Sequence, residues 1–519
     1  MRYNMKAKMC LSGALVALLT FSCTNLDEKI YSQVTADNFF KTPEEQATAL
    51  AAAYTNMLSF GNHNSMWSAN EVSTDELMIP VKGQDWLDNN QWVRMHRHEY
   101  IPTEESLNNT WSFCFAGVNI CNRLIAQFEA IPNSVATISE LRAVRALYYF
   151  WLMDNFGGVP LVTTFAGAEA SPARKSRTEI YNFIVSELVA SIPNLSDKAD
   201  GSTYGRMNKF GANALLAKVY LNSGVYLSAS GTGNPASADL DKAIAACDVI
   251  INSNNYSLET SYFNVFGPTN NQSKEHILAV PYDEKFAQGF NFGQMTLHYE
   301  SQKTFNLQAQ PWNGYTSLKE FYDSYDNADE RKQSFLVGPQ FSSSGTPLTD
   351  TGAEPGDPDG APINFTPTVN ELTPNAFRQA GARIGKFRYK LGATPNLDND
   401  FPIFRYGEVL LMKAEALWRK NNGDAAALSL VNQLRARAKA PALTSLGATA
   451  DAYPGPVILA ELGRECFAEG KRRNDLIRFG KYSELWFGKT ATSAASKTIF
   501  PIPQPQRVSN PNLTQNPGY

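Results

Sequence analysis

Between Phe404 and Lys439 the chain alternates apolar and polar positions with the period of a helix, twice over. Leu410, Ala414 and Leu417 recur at steps of four and three, and Ala427, Val431, Leu434 and Ala438 do the same in the second half. Each half therefore predicts an amphipathic helix with one buried stripe. Asn421-Asn422-Gly423-Asp424 separates them, offering residues that tolerate left-handed backbone to stop one helix and an aspartate to cap the next. The same period predicts helices over 43–59 (opened by Thr42-Pro43-Glu44-Glu45), 109–128, 139–155, 178–192 (capped by Thr178), 207–227, 239–251 and 456–470, the last running on into Asn474 to Arg478. Paired, these make a mainly α fold, a tetratricopeptide-like α/α superhelix of about four helical hairpins.

Two stretches break the pattern. Residues 60–107 interrupt the helices with Trp, Asp, Asn and His, and 255–402 form a long irregular insertion. The insertion holds strand-like pieces, Ile277 to Val280 and the alternation of Phe387, Tyr389 and Leu391 against Lys386, Arg388 and Lys390. The helical scaffold accordingly spans about 40–254 and 403–480, and a Pro/Asn-rich tail over 481–519 predicts no regular element. Long irregular segments on a rigid scaffold are where function concentrates.

The first residues change the picture from fold to compartment. Arg2, Lys6 and Lys8 precede an apolar core over 11–21, too short to span a bilayer and of the right length for a secretory signal over residues 1–22. Cys23 follows, a position that predicts cleavage and lipidation; an ordinary secreted protein is the alternative. Removing 1–22 takes three positive charges and no acids from a net charge of −4, leaving about −7. That balance excludes the basic footprint of a nucleic-acid binder. Cys114, Cys121, Cys247 and Cys466 show no CxxC and no His at metal spacing, and read as buried apolar thiols.

Several segments then carry a resemblance. Ser22-Cys23 with Asn25-Leu26-Asp27, the run Arg142 to Phe150 closed by Phe156-Gly157-Gly158-Val159-Pro160-Leu161, and Gly205-Arg206 with Ala217 to Leu221 form one part of it. Arg405 to Ala416, Arg464 to Leu476, Phe500-Pro501-Ile502-Pro503, and Asn510-Pro511 with Gln515-Asn516-Pro517-Gly518-Tyr519 form the rest. In order and together they resemble the SusD/RagB family of Bacteroidetes outer-membrane nutrient-binding lipoproteins. The resemblance implies a helical superhelix with an irregular ligand-facing side, made here of 60–107 and 255–402 within one SusD-like domain over 23–519. It also implies a cell-surface protein anchored by lipidated Cys23, with Asp27-Glu28 as a surface-export signal. The partner it implies is a SusC-like TonB-dependent outer-membrane transporter, to which captured oligosaccharide is delivered without catalysis or cofactor.

Glycan capture needs aromatic faces for the apolar faces of sugar rings, with amides and carboxylates for the hydroxyls. Asp85, Trp86 and Trp92 in the first loop, and Trp312, Asn313 and Tyr315 in the insertion, supply both outside any predicted helix, and Trp67 is a further candidate. Trp111, Trp151 and Trp418 lie within predicted helices and read as packing. His96-Arg97-His98-Glu99 places two imidazoles on one side of a predicted strand without a third ligand, which favours a polar strand face over zinc. Asp357-Pro358-Asp359-Gly360 lacks the closing glutamate of a calcium loop, Thr368 standing at that position. Gly231 to Ala236 follows a helix and contains Pro, so it is no dinucleotide fingerprint. Arg405, Glu408, Glu415 and Arg435, with Glu465, Glu469, Arg464 and Arg472, look at first like acid–base chemistry, but carboxylates sharing helices with arginines read better as buried ion pairs. Capture of peptide is the alternative within the family, and glycoside hydrolysis the alternative outside it.

Overall fold

A computed structural model of the chain describes residues 42–353, 360–447 and 455–519. The leader, Cys23 and Asp357-Pro358-Asp359 lie outside the described residues. The chain falls into a short unit, Met1–Thr48, and a large one, Ala49–Tyr519. The described end of the short unit opens a helix, where Thr42 and Glu45 each accept the other's backbone N–H, a capping box that satisfies two otherwise orphaned donors.

The large unit is mainly α, tetratricopeptide-like, with only short strands. Helices Glu105–Phe128 and Val135–Phe156 pack as a hairpin, and Arg177–Ser191 lies against the second of them. Lys209–Leu221 pairs with Ser237–Ile251, which also packs on Tyr406–Lys420, so the helical stack passes directly over the insertion. Tyr406–Lys420 and Ala425–Arg437 form the hairpin expected from periodicity. Leu410, Leu411, Ala414, Ala427, Val431 and Leu434 interlock with Ile458 and Leu462 of the Val457–Cys466 helix in a dry core. Asp424 caps the second helix by accepting the Ala427 N–H at 2.8 Å, but Asn421 leaves the first in extended backbone, not left-handed.

The insertion is pinned where it leaves and returns. Strand His276–Val280 pairs antiparallel with Phe401–Arg405, His276 opposite Arg405 and Val280 opposite Phe401. A second short pairing, Leu77 with Ser317 and Met78 with Thr316, ties the first loop to the insertion.

The structure departs from the sequence reading in several places. The 60–107 stretch contains helices Met66–Val72 and Gln91–Arg97; the first is buried along its whole length, so it has no polar face and no visible period. His96 is therefore helical and His98 is its left-handed cap. Both rings are buried against backbone carbonyls, of Val72 and Phe487 for His96 and of Ser73 for His98, and burial lowers the pKa of each. Among the described residues no group of three His, Cys, Asp or Glu could hold a metal. The Arg177–Ser191 helix starts earlier than Thr178 because Ser176 and Glu179 form a capping box. Residues 386–391 form no strand; Lys386 turns inward, fully buried, to Glu469 and the Phe467 carbonyl. The tail holds a short 3-10 helix, Ala495–Thr498, and a short α-helix, Gln504–Ser509, with Pro505 in the first turn, where proline fits. The expected helix 456–470 breaks after Cys466, where Ala468 adopts φ +58°. Its N–H donates to Glu76, its carbonyl accepts from Trp67, and the Gly470 N–H donates to Glu71, so tertiary partners replace the helical ladder. Cys114, Cys121, Cys247 and Cys466 are free and buried.

The charges in the apolar pattern are structural. Arg405, fully buried, donates to Glu469 at 2.7 and 2.8 Å and to Glu465 at 2.7 Å. Arg437 bonds Glu275 and Glu465, Arg331 reaches Asp329, Glu461 and Glu465, and Arg435 bonds Glu461. Glu408 meets Lys218 and Lys471, while Glu415 meets Arg419 and Arg478. Burial opposes ionisation of Glu461, yet Arg464, Arg331 and Arg435 together hold it down at about 2. Glu71 is the opposite case, raised by burial to about 7 beside Glu76, itself raised.

These shifts fix a pH profile. The Glu461 contribution is complete above its unfolded value of 4.5 and is lost as pH falls toward 2. The Glu71 contribution, from a raised pKa, is complete below 4.5 and is lost as pH rises through 7. From these two groups the melting temperature is expected to peak near about pH 4.5 and to fall on both sides. Calorimetry at acid, intermediate and alkaline pH checks this, and a melting temperature still climbing above pH 7 would contradict it.

Candidate functional site

The first loop and the insertion meet at a cluster of aromatic rings. His63, from the turn Gly61-Asn62-His63-Asn64, lies at its centre, its ring centroid 5.0 Å from Trp86, 5.4 Å from Trp92, 6.0 Å from Trp312 and 5.9 Å from Tyr315. Burial lowers the His63 pKa to about 4, against the pull of nearby Asp88, so the imidazole is neutral at physiological pH.

Two anchored loops hold the cluster. The backbone N–H groups of Trp312, Gly314 and Asn313 donate to the carbonyls of Gln294, Met295 and Leu297, at and beside the short Phe292–Thr296 helix. In the other loop Trp86, Asp88, Asn89 and Asn90 all have left-handed backbone, with φ of 61°, 37°, 51° and 58°. Asparagine accepts that conformation readily, but tryptophan does so at a cost of about 1–3 kcal/mol, and such strain collects at functional sites. The two loops are joined by the Trp86 Nε1 donating to the Trp312 carbonyl at 2.6 Å. The Trp86 ring lies directly over the Gly314 α-carbon, where an added methyl would collide with it. Gly314→Ala is thus expected to displace the Trp86 ring. Near-ultraviolet circular dichroism would change and stability would fall by about 1–3 kcal/mol, with helical content intact; an unaltered aromatic spectrum would count against the packing.

The residues singled out from sequence divide by exposure. Trp312 is 38 % exposed and Trp86 9 %, and with His63, Asp85, Asp88, Tyr299, Gln310 and Pro311 they border an open depression of about 450 Å³. Asp85 is half-buried, and burial raises its pKa. Trp92, 1 % exposed, donates its Nε1 to Asp88 at 2.8 Å and so positions that carboxylate. Three further expected ligand contacts lie, like Trp92, beneath the surface. Tyr315 and Trp67 are fully buried, Tyr315 hydrogen-bonded to Ser68 and His63 and Trp67 to Ala468. Asn313 spends its amide on the Arg378 carbonyl and the Arg383 guanidinium, and is also fully buried. All three are underlay, because the rings above them need a rigid floor.

Sequence reasoning missed His63 and Tyr299. Tyr299 borders the depression with the Arg378 guanidinium 4.4 Å from its ring centroid. His63 left one signal, its place in a turn of Gly and Asn beside a tryptophan-rich segment. Next to the aromatic depression, and sharing His63 and Asp88 with it, lies a polar recess of about 390 Å³ bordered also by Asn89, Gln91, Arg94, Thr103 and Glu105. Chemically, the pair offers an exposed indole face, a second indole behind it, and carboxylates and amides at the rim. That arrangement suits a ligand with apolar faces and many hydroxyls.

Comparison with known proteins agrees with this architecture. The model of the SusD family matches residues 374–519, and the family described as starch-binding, associating with outer membrane, matches 25–221. The starch-binding protein SusD of Bacteroides thetaiotaomicron is 24% identical over 513 residues, covering 88% of this chain and 86% of its own. SusD-like protein P38 of Formosa agariphila is 24% identical over 522 residues, covering 96% of each. Among solved structures, a SusD superfamily protein from Parabacteroides distasonis superposes with a TM-score of 0.73 at 22% identity, over 94% of this chain and 100% of its own. The surface glycan-binding protein A of Bacteroides thetaiotaomicron in complex with laminarihexaose gives 0.72 at 22% identity, over 91% and 99%. With both ends of the chain matched by family models and the helical stack and insertion shared in between, the chain belongs to the SusD/RagB family.

Proposed function

We propose that the protein is a non-catalytic glycan-binding lipoprotein of the cell surface, anchored in the outer membrane through Cys23, that captures oligosaccharide and delivers it to a SusC-like TonB-dependent transporter. The observation that carries the reading is the exposed Trp312 ring, on a backbone whose carbonyl accepts from Trp86, edge-on to His63 and rimmed by Asp85, Asp88 and Gln310. Anchoring the backbone that carries the ring lowers the cost of ordering it against a sugar. Relatives whose names declare starch or laminarihexaose binding support the ligand class. The buried, salt-bridged state of Glu408, Glu415, Glu465 and Glu469 supports a structural role for these four, since a glycosidase needs two carboxylates open to a cleft.

The test is a parallel screen of purified protein on glycan and peptide arrays, followed by a reducing-sugar assay on any glycan retained. Retention of glycans with no sugar released is expected. Retention of peptides alone would replace the ligand class, and release of reducing ends abolished by a Glu→Gln change would make it an enzyme. Recovery of a β-barrel transporter with the tagged lipoprotein from solubilised outer membranes tests the partner.

A further inference from the structure

We infer that the glycan taken by this site is electrically neutral, and that the polar recess beside the aromatic depression is a second sugar subsite that excludes anionic sugars. This rests on the glycan-binding reading and adds the charge class of the ligand.

The argument is a census of the charges facing the two depressions. Asp85 and Asp88 border the aromatic one, and Asp88, Glu104, Glu105 and Arg94 border the recess. Asp88 and Glu105 are exposed. Each cation nearby is already committed. Arg94 donates Nε and Nη2 to Glu104 at 2.6 and 2.7 Å and Nη1 to the Asn89 carbonyl at 2.7 Å, so three of its five N–H groups are spent and its charge is offset by Glu104. Arg378 bonds Asp350 and stacks on Tyr299. Lys82 is buried, with its Nζ donating to the Pro80 carbonyl. His63 is held neutral by burial. A uronate, sulfate or sialate group in either depression would meet carboxylates, while among the described residues the cations beside it are buried or already offset by a carboxylate, and like charges juxtaposed in an interface cost affinity steeply. Hydroxyl groups meet the reverse: the exposed carboxylates of Asp88 and Glu105 accept from them, and exposed Asn89 and Thr103 donate and accept. Because the depressions share His63 and Asp88, a ring stacked on Trp312 places its neighbour over the recess, so two linked sugars are the least that fills the site.

Calorimetry with the intact protein decides the matter, using neutral probes (laminarihexaose, maltohexaose, and xylan, mannan and galactan oligosaccharides) beside anionic ones (oligogalacturonate and a sulfated galactan oligosaccharide). At least one neutral series is expected to bind, disaccharides or longer only, with anionic probes weaker by about tenfold or more. Glu105→Lys is expected to raise the ratio of anionic to neutral affinity by about tenfold, and Glu105→Gln by less. Preference for an anionic probe, or a Glu105→Lys ratio that does not move, overturns the charge class while leaving glycan capture standing. Binding by monosaccharide as tight as by disaccharide overturns the second subsite. Binding of no glycan in either group overturns the capture reading and this inference together.

Discussion

Arg405→Met is expected to cost about 3–5 kcal/mol, most of the stability of an ordinary domain. The guanidinium serves Glu469 twice and Glu465 once, lies 3.3 Å from Glu275, and has no access to water. Removing it leaves Glu469 to Lys386 and Glu465 to Arg331 and Arg437, one positive charge short in a medium that cannot solvate the excess, and that penalty, rather than the lost attraction, dominates. Urea unfolding of the variant should show a midpoint far below that of the parent, or no cooperative transition at all. A companion change, Glu469→Gln, should restore part of the loss in the double variant, because it removes the negative charge left in excess. A single variant losing less than about 1 kcal/mol would mean that the network is hydrated and of little structural weight.

The second large effect is on ligand capture. Trp312→Ala is expected to weaken glycan binding by about 2 kcal/mol, roughly thirtyfold, with little change in melting temperature, since the ring is the most exposed of the cluster. Trp86→Ala should weaken binding too, but also destabilise, because that ring is mostly buried over Gly314 and holds the two loops together. Trp312→Phe should fall between parent and alanine, keeping a smaller face. Calorimetry on all three, each with its melting curve, separates the roles; full affinity in both alanine variants would place the site elsewhere.

Much of the scaffold was legible because helices repeat. The hairpin of Tyr406–Lys420 and Ala425–Arg437 could be drawn from Leu410, Ala414, Ala427, Val431 and Leu434 alone, and each of these is buried. The structural reading of Arg405, Glu408, Glu415 and Arg435 also followed from their apolar neighbours. Periodicity fails where an element has no polar side or where backbone is spent on distant partners. Met66–Val72 is the first case, and the break at Ala468, held open by Glu76 and Trp67, is the second.

The site was half legible for a related reason. Loop tryptophans flanked by Asp and Asn pointed to the right segments, but composition cannot tell a ring that faces out from one that lies beneath. Trp312 and Tyr315, three positions apart, end up on opposite sides of that boundary. The contact between Trp86 and Trp312 spans 226 positions and depends on four left-handed residues and one glycine. No local pattern announces such a meeting.

The charge network has a bearing on how the chain is made. Glu71, Asp75 and Glu76 near the start bond to Gly470, Arg472 and Ala468, almost four hundred residues later. The last residues are sewn back as well: Asn516 bonds the Phe156 and Phe500 carbonyls, and Arg174 reaches Thr514. A ribosome that has delivered the first four hundred residues has therefore delivered these acids ahead of these partners. The local helical hairpins are complete by then, but the contacts that close the interior wait for the final segment. For the exported lipoprotein proposed above, which would be threaded through a translocon before folding, that delay is an advantage written into the order of its contacts.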